Sequence, residues 1–156
     1  MTAAAILVLA ACSAADDGGF MGEVVQSESG FEGAVTVVET GLDEDFGFVL
    51  VNVPYLDVRG KPKMGQGRLV ARRSDIESGK PLPVLCHVHY EKDLGGAKHW
   101  CRKGWVVVTA HYGDPAKGGY ALELAPGDSF NLAKALLQWV RRLSFIDRTH
   151  FHIEGG

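Results

Sequence analysis

The stretch Phe145-Ile-Asp-Arg-Thr-His-Phe-His-Ile-Glu-Gly-Gly156 decides the fold of this chain. Phe151 and Ile153 alternate in it with polar residues, which puts the apolar side chains on one side of an extended backbone. Such alternation predicts a short, half-exposed β-strand. The strand leads directly into Gly155 and Gly156, and paired glycines indicate a tight turn where two backbones pass close together.

Composition places the chain among ordinary globular proteins with one domain and a sizeable core. Its 156 residues are 46% hydrophobic and 22% charged. The net charge of -3 and the pI of about 6.0 give no electrostatic basis for binding nucleic acid. No apolar run reaches the roughly 18 residues that a membrane-spanning helix needs. Any membrane contact is therefore expected to depend on a lipid anchor.

The N-terminus carries a possible export signal. Residues 3–11 are a short apolar run, and Leu9-Ala10-Ala11-Cys12 resembles the lipobox of bacterial lipoproteins. The resemblance implies that residues 1–19 are signal and linker, and that Cys12 carries the lipid of an exported, membrane-anchored or periplasmic protein. Signal peptides normally carry a Lys or Arg ahead of the apolar run, and this chain has none there. A buried or disordered apolar N-terminus is the alternative.

Residues 20–73 are rich in β-forming residues between turn signals and show no helical periodicity, which predicts an antiparallel β lead-in. Pro54 interrupts the longest β-rich run, 46–58, and indicates an edge position or a bend because proline cannot donate a ladder hydrogen bond. Whether residues 20–65 join the sheet that follows or form an appended β region stays open at this point.

The pattern changes in residues 74–156. The runs 81–90 and 105–110 are nearly continuous and apolar, as in strands buried on both faces of a parallel sheet. Apolar residues at helical spacing predict a short helix over 94–103 and a longer one over 128–143. This alternation of strands and helices predicts right-handed crossovers and an α/β fold with an open, mostly parallel sheet. Asp128 is expected to cap the longer helix, and Phe130 to lie on its apolar face.

From about residue 66 onward, a little over half of the chain resembles α/β-hydrolases of the prolyl-oligopeptidase and acyl-esterase kind. The segments that carry the resemblance are Lys80-Pro-Leu-Pro-Val84, Gly104-Trp-Val-Val-Val108, Leu137-Gln-Trp-Val140 and Ile146-Asp-Arg148, followed by the terminal strand and its glycines.

The resemblance implies the amino-terminal part of an exported serine hydrolase, an esterase or a peptidase, that acts on a small-molecule ester or a peptide and needs no cofactor. Gly155 would be the first glycine and Gly156 the second residue of the nucleophile turn Gly-x-Ser-x-Gly. The serine, histidine and acid of the triad would then all follow Gly156. A chain that stops there is expected to be inactive.

One departure from the family pattern concerns the oxyanion side of the site. Family members carry a glycine motif after the first core strand, whose backbone N–H groups bind the oxyanion. This chain has His87-Val-His-Tyr-Glu91 there, with Gly95 and Gly96 only later. By resemblance to prolyl oligopeptidases, the Tyr90 hydroxyl is the candidate oxyanion donor. A packed aromatic at a strand end is the alternative for Tyr90.

Two other functions remain open from the sequence. One is a non-catalytic surface lipoprotein or binding module on a degenerate hydrolase sheet. The other is a metal-dependent hydrolase, because His-x-His on a strand points both imidazoles to one face. Its candidate ligands are His87, His89, His150 and His152.

Cys86 and Cys101 are predicted to be small buried side chains, with a disulfide as the alternative in an exported protein.

Overall fold

A computed structural model of the chain describes residues 35–88, 94–111, 113–114, 119–120 and 127–154. Its strands are Thr36–Asp43 (β1), Phe46–Leu56 (β2), Pro62–Arg72 (β3), Leu82–His87 (β4), Val106–His111 (β5), Gly113–Asp114 (β6), Gly119–Tyr120 (β7) and Ile146–Glu154 (β8). Its helices are Arg73–Glu77 (α1), Gly95–Cys101 (α2) and Asp128–Val140 (α3).

Six of the strands form one sheet in the order β1-β2-β3-β5-β4-β8, and β6 pairs with β7. The three strands from β1 to β3 are antiparallel neighbours, and β3 is antiparallel to β5. Strands β5, β4 and β8 run parallel. The predicted α/β class with a mostly parallel core and an antiparallel lead-in is confirmed. The lead-in strands of residues 36–72 belong to the same sheet, which answers the question that the sequence left open for that part of the chain.

Pro54 lies inside β2 although β2 has a neighbour on each side. In the part of the chain that the structure describes, the ladder between β1 and β2 begins at Thr36 and Asn52, two residues before Pro54. On its other side Pro54 faces Met64 of β3. Within the described residues, Pro54 therefore pairs with β3 and lies past the last pair between β1 and β2.

The two faces of the sheet are covered by different helices. Helix α3 packs Leu132, Leu136 and Trp139 into the larger core, together with side chains such as Val106 and Val108 of β5. On the opposite face, Ala97 and Cys101 of α2 pack in a smaller cluster, whose other buried members are Phe46, Val70 and Val107. We call these the α3 face and the α2 face. Strand residues alternate between them because successive side chains point to opposite sides of a sheet.

Helix α1 was not predicted, since its five residues are too few to show helical periodicity. Tertiary contacts fix it instead. The Asp45 carboxylate accepts hydrogen bonds from Ser74 Oγ at 2.6 Å and from Arg72 Nε at 3.1 Å, and the Arg73 N–H donates to the Asp45 carbonyl at 2.7 Å. The hydrogen bond from Ser74 is the largest cause of the lowered pKa of Asp45.

Two expectations for α3 were wrong. Gly127, with a φ of 96°, is the N-cap residue, and the Asp128 side chain makes no capping hydrogen bond. Asp128 is instead buried, and its Oδ1 accepts a hydrogen bond from the Val58 N–H at 2.8 Å. Phe130 is 64% exposed, because the face of α3 that packs on the sheet is centred on Leu132 and Leu136.

Close packing of α3 on β3 requires glycine in the strand. A Cβ at Gly67 would lie 2.5 Å from Cδ1 of Leu136, and one at Gly65 would lie 2.5 Å from Cδ1 of Leu132. Both leucines are almost fully buried, so neither side chain can move aside without disturbing the core. The two glycines therefore set how closely the helix approaches the sheet.

We predict that Gly67→Ala lowers the free energy of unfolding by about 1–3 kcal/mol, because the added methyl group overpacks this contact. Urea denaturation measures the change. In a Leu136→Ala background the same substitution is expected to cost much less, since the group that it overlaps has been removed. An equal loss in both backgrounds would contradict the packing explanation.

Candidate functional site

The candidate site lies at the carboxyl edge of the parallel strands. The connection after β4 leads to α2, and the connection after β5 leads to α3 on the opposite face. In open α/β sheets, ligands bind outside the carboxyl ends of the strands where neighbouring connections diverge in this way. His87 is the last residue of β4 and Glu154 the last of β8, so both lie at this edge.

Four polar residues form a line across this end of the sheet, which we call the polar row. The register pairs Arg68 of β3 with Thr109 of β5, Thr109 with His87, and His87 with Glu154 of β8. Residues paired in this way point to the same face. Arg68 is two residues from Val70, and Thr109 is two residues from Val107, so the polar row lies on the α2 face with these two valines. Arg68, Thr109 and His87 are 8%, 0% and 4% exposed.

The end of the polar row joins β4 to β8 through two contacts. Nε2 of His87 lies 3.4 Å from Oε2 of Glu154, with the imidazole buried and the carboxylate 53% exposed. The backbone N–H of Val88 donates to the Glu154 carbonyl at 2.9 Å, which extends the parallel pairing one residue past β4. His87 and Val88 at the carboxyl end of β4 are therefore held beside Glu154, the last residue of β8.

The remaining predicted site residues fall partly outside the described part of the chain. Tyr90, His89, Gly155, Gly156 and the lipid-anchor candidate Cys12 all lie outside it. Their proposed roles stay predictions.

The histidines that the structure describes are not gathered around one point. His87 is buried, whereas His150 and His152 lie on the exposed part of β8. The His150 ring meets Trp105 edge to face, with centroids 5.7 Å apart. Within the described residues, no group of three or more His, Cys, Asp or Glu side chains is placed to hold a metal ion.

Sequence reasoning missed the part of Arg68 and Thr109 in this site. Arg68 lies in the predicted antiparallel lead-in, and Thr109 interrupts an otherwise apolar strand. The usable signal was Thr109, a polar residue in a strand that was expected to be buried on both faces; Arg68 gave no such signal, because β3 also carries Lys63 and Gln66. Only the register shows that both belong to one line with His87.

The two cysteines are thiols on opposite faces of the sheet. Cys86 belongs to the core of the α3 face, and Cys101 to the cluster of the α2 face. The Cys101 thiol lies 3.4 Å from the Val70 carbonyl oxygen, to which it donates. The interpretation of both as small buried side chains is confirmed, and the alternative of a disulfide between them is wrong.

Comparison with known proteins gives matches to structures alone. No protein-family model matches the sequence, and no curated protein matches it. A candidate acetyl xylan esterase from Bacteroides fragilis superposes with a TM-score of 0.58 at 12% identity, over 79% of this chain and 42% of that one. Candida antarctica lipase A superposes with a TM-score of 0.52 at 11% identity, over 91% of this chain and 37% of that one. The fold is α/β-hydrolase-like.

This chain thus spans less than half the length of either structure that it resembles. No helix within the described residues is both long and apolar enough to cross a membrane.

Burial raises the pKa of the Cys86 thiol from 9.0 to about 12. Between about pH 9 and pH 12 the folded chain therefore keeps a thiol proton that the unfolded chain loses. The free energy of unfolding consequently falls as the pH rises through this range. We predict that raising the pH from 8 to 10 costs the wild type about 1 kcal/mol more than Cys86→Ala. Urea denaturation of both proteins at the two pH values measures this difference, and equal losses would contradict it.

Proposed function

We propose that this chain forms the amino-terminal half of the catalytic domain of a serine esterase, with the nucleophile on the turn that follows β8. The observation that carries the proposal is the adjacency of the carboxyl ends of β4 and β8 in an α/β-hydrolase-like sheet. In that fold a strand-to-helix turn presents the serine, and a loop from an earlier strand contributes an oxyanion donor. Gly155 and Gly156 after β8 match the start of such a turn.

The proposed reaction is acyl transfer in two steps. The serine oxygen attacks the ester carbonyl carbon while a histidine takes the hydroxyl proton, and the developing oxyanion is held by N–H or O–H donors. The bond to the alcohol then breaks, and the histidine returns the proton to the leaving oxygen. Water, deprotonated by the same histidine, then attacks the acyl carbon; the bond to the serine oxygen breaks, the histidine returns the proton to that oxygen, and the acid is released.

Within this proposal the residues of this chain supply two parts of the site. Gly155 and Gly156 begin the turn of the nucleophile, and their lack of a Cβ lets the neighbouring backbone pass close to it. The segment after β4 supplies the oxyanion side, with the Tyr90 hydroxyl as its donor. The triad histidine follows the serine in this fold, so none of the six histidines here is assigned that role.

We propose an ester rather than a peptide as the substrate. The two similar structures are named as an acetyl xylan esterase candidate and a lipase, and both names denote ester hydrolysis. A small acyl ester, such as an acetylated carbohydrate, is the first substrate class to test. Prolyl-oligopeptidase-like peptide cleavage is the competing outcome, and acetyl and peptidyl-proline substrates tested side by side distinguish the two.

A fluorophosphonate probe tests the catalytic proposal directly. In the full-length protein we expect the probe to label a serine immediately after Gly156, and we expect hydrolysis of p-nitrophenyl acetate. Replacing that serine with alanine should abolish both signals. The 156-residue chain by itself should show neither. Labelling at another position, or turnover by the isolated chain, would refute the assignment.

We also propose that the protein is exported and lipid-anchored through Cys12, on the strength of the Leu9-Ala10-Ala11-Cys12 order. In a bacterial host, metabolic labelling with a palmitate analogue should mark the native protein and place it in the membrane fraction. Cys12→Ser should lose both the label and the membrane association. Equal labelling of the two proteins would contradict a lipid anchor at Cys12.

A further inference from the structure

The contact between His87 and Glu154 joins the ends of the two strands that precede the parts of the proposed site. His87 closes β4 and is followed by the segment with Tyr90, whereas Glu154 closes β8 and is followed by Gly155. Their side chains meet at 3.4 Å, and the Val88 N–H reaches the Glu154 carbonyl at 2.9 Å. One side-chain contact and one backbone hydrogen bond thus link the two positions where the strands give way to the proposed catalytic turns.

The burial of this pair is unequal, which limits what it can contribute to overall stability. His87 is 5% exposed at its side chain and held within the polar row, whereas Glu154 is 53% exposed. A half-exposed polar side-chain contact of this kind contributes little to the free energy of folding. Its other effect is geometric, because it fixes where the last residue of β8 lies relative to the end of β4.

We infer that Glu154 is a positioning residue which, held by His87, sets the spacing between the carboxyl ends of β4 and β8, the two strands that lead to the proposed oxyanion segment and nucleophile turn. This inference rests on the proposed function for its catalytic consequence. In acyl transfer the serine oxygen and the oxyanion donors must contact the same carbonyl group, so small changes in their separation lower the rate. Glu154 itself need not touch the substrate.

Steady-state kinetics of the full-length protein test the catalytic consequence. Glu154→Ala should lower kcat for p-nitrophenyl acetate roughly tenfold, with KM and the melting temperature almost unchanged. Glu39→Ala is the matched control, because Glu39 is also exposed, lies on β1 at the opposite edge of the sheet, and should leave kcat unchanged. An unchanged kcat in Glu154→Ala, or an equal loss in the control, would overturn the inference.

A double-mutant cycle tests whether Glu154 acts through His87. If it does, His87→Gln combined with Glu154→Ala should lower kcat no further than the more damaging single substitution. Independent, multiplicative losses would overturn the coupling. Because His87 is buried, His87→Gln is used only if its melting temperature shows that it folds, and the exchange measurement below does not depend on it.

Amide hydrogen exchange tests the pair without any turnover. In Glu154→Ala the Val88 amide should exchange about fivefold faster than in wild type, whereas Glu39→Ala should leave it unchanged. Unchanged exchange in Glu154→Ala would overturn the positioning role even in an active enzyme. Faster exchange in a protein whose serine the fluorophosphonate does not label would instead show that the proposed function has failed.

Discussion

Strand β4 is hydrogen-bonded to a parallel neighbour on each side, and Val84, Leu85 and Cys86 within it are almost completely buried. A strand in this position has no exposed edge and no exposed face, so its register with β5 and β8 cannot slip without burying unpaired backbone groups. The remaining strands extend the sheet outward from β5 through β3 and β2 to β1. The carboxyl end of β4 is consequently a rigid position.

The same register that pairs the apolar residues also produces the polar row. Arg68, Thr109 and His87 are removed from water, which is costly unless their polar atoms have partners, and each of the three makes an interaction in the structure. Apolar residues of similar size would stabilise such a sheet at least as well. The register thus places these buried polar groups together at the carboxyl edge of the sheet, beside the ends of β4 and β8.

The pattern of apolar residues was sufficient for most of the fold. Continuous apolar runs predicted β4 and β5, alternation predicted β8, and helical spacing predicted α2 and α3 to within a few residues. The errors have local causes. Helix α1 is too short for periodicity and depends on Asp45, which lies 28 positions before Arg73 in the sequence. Asp128 resembles a helix cap in sequence, but its carboxylate bonds to Val58, a contact that only the folded chain creates.

The sequence by itself determined the fold class and the boundaries of the main elements, because burial of apolar side chains imposes periods of 2 and 3.6 residues on the chain. Tertiary structure alone decided which strands are neighbours. It placed β8 beside β4 rather than beside β5, and so brought Glu154 to His87 and put Arg68 in line with Thr109. These contacts join positions that are far apart in the sequence, and no local pattern encodes the register between separate strands.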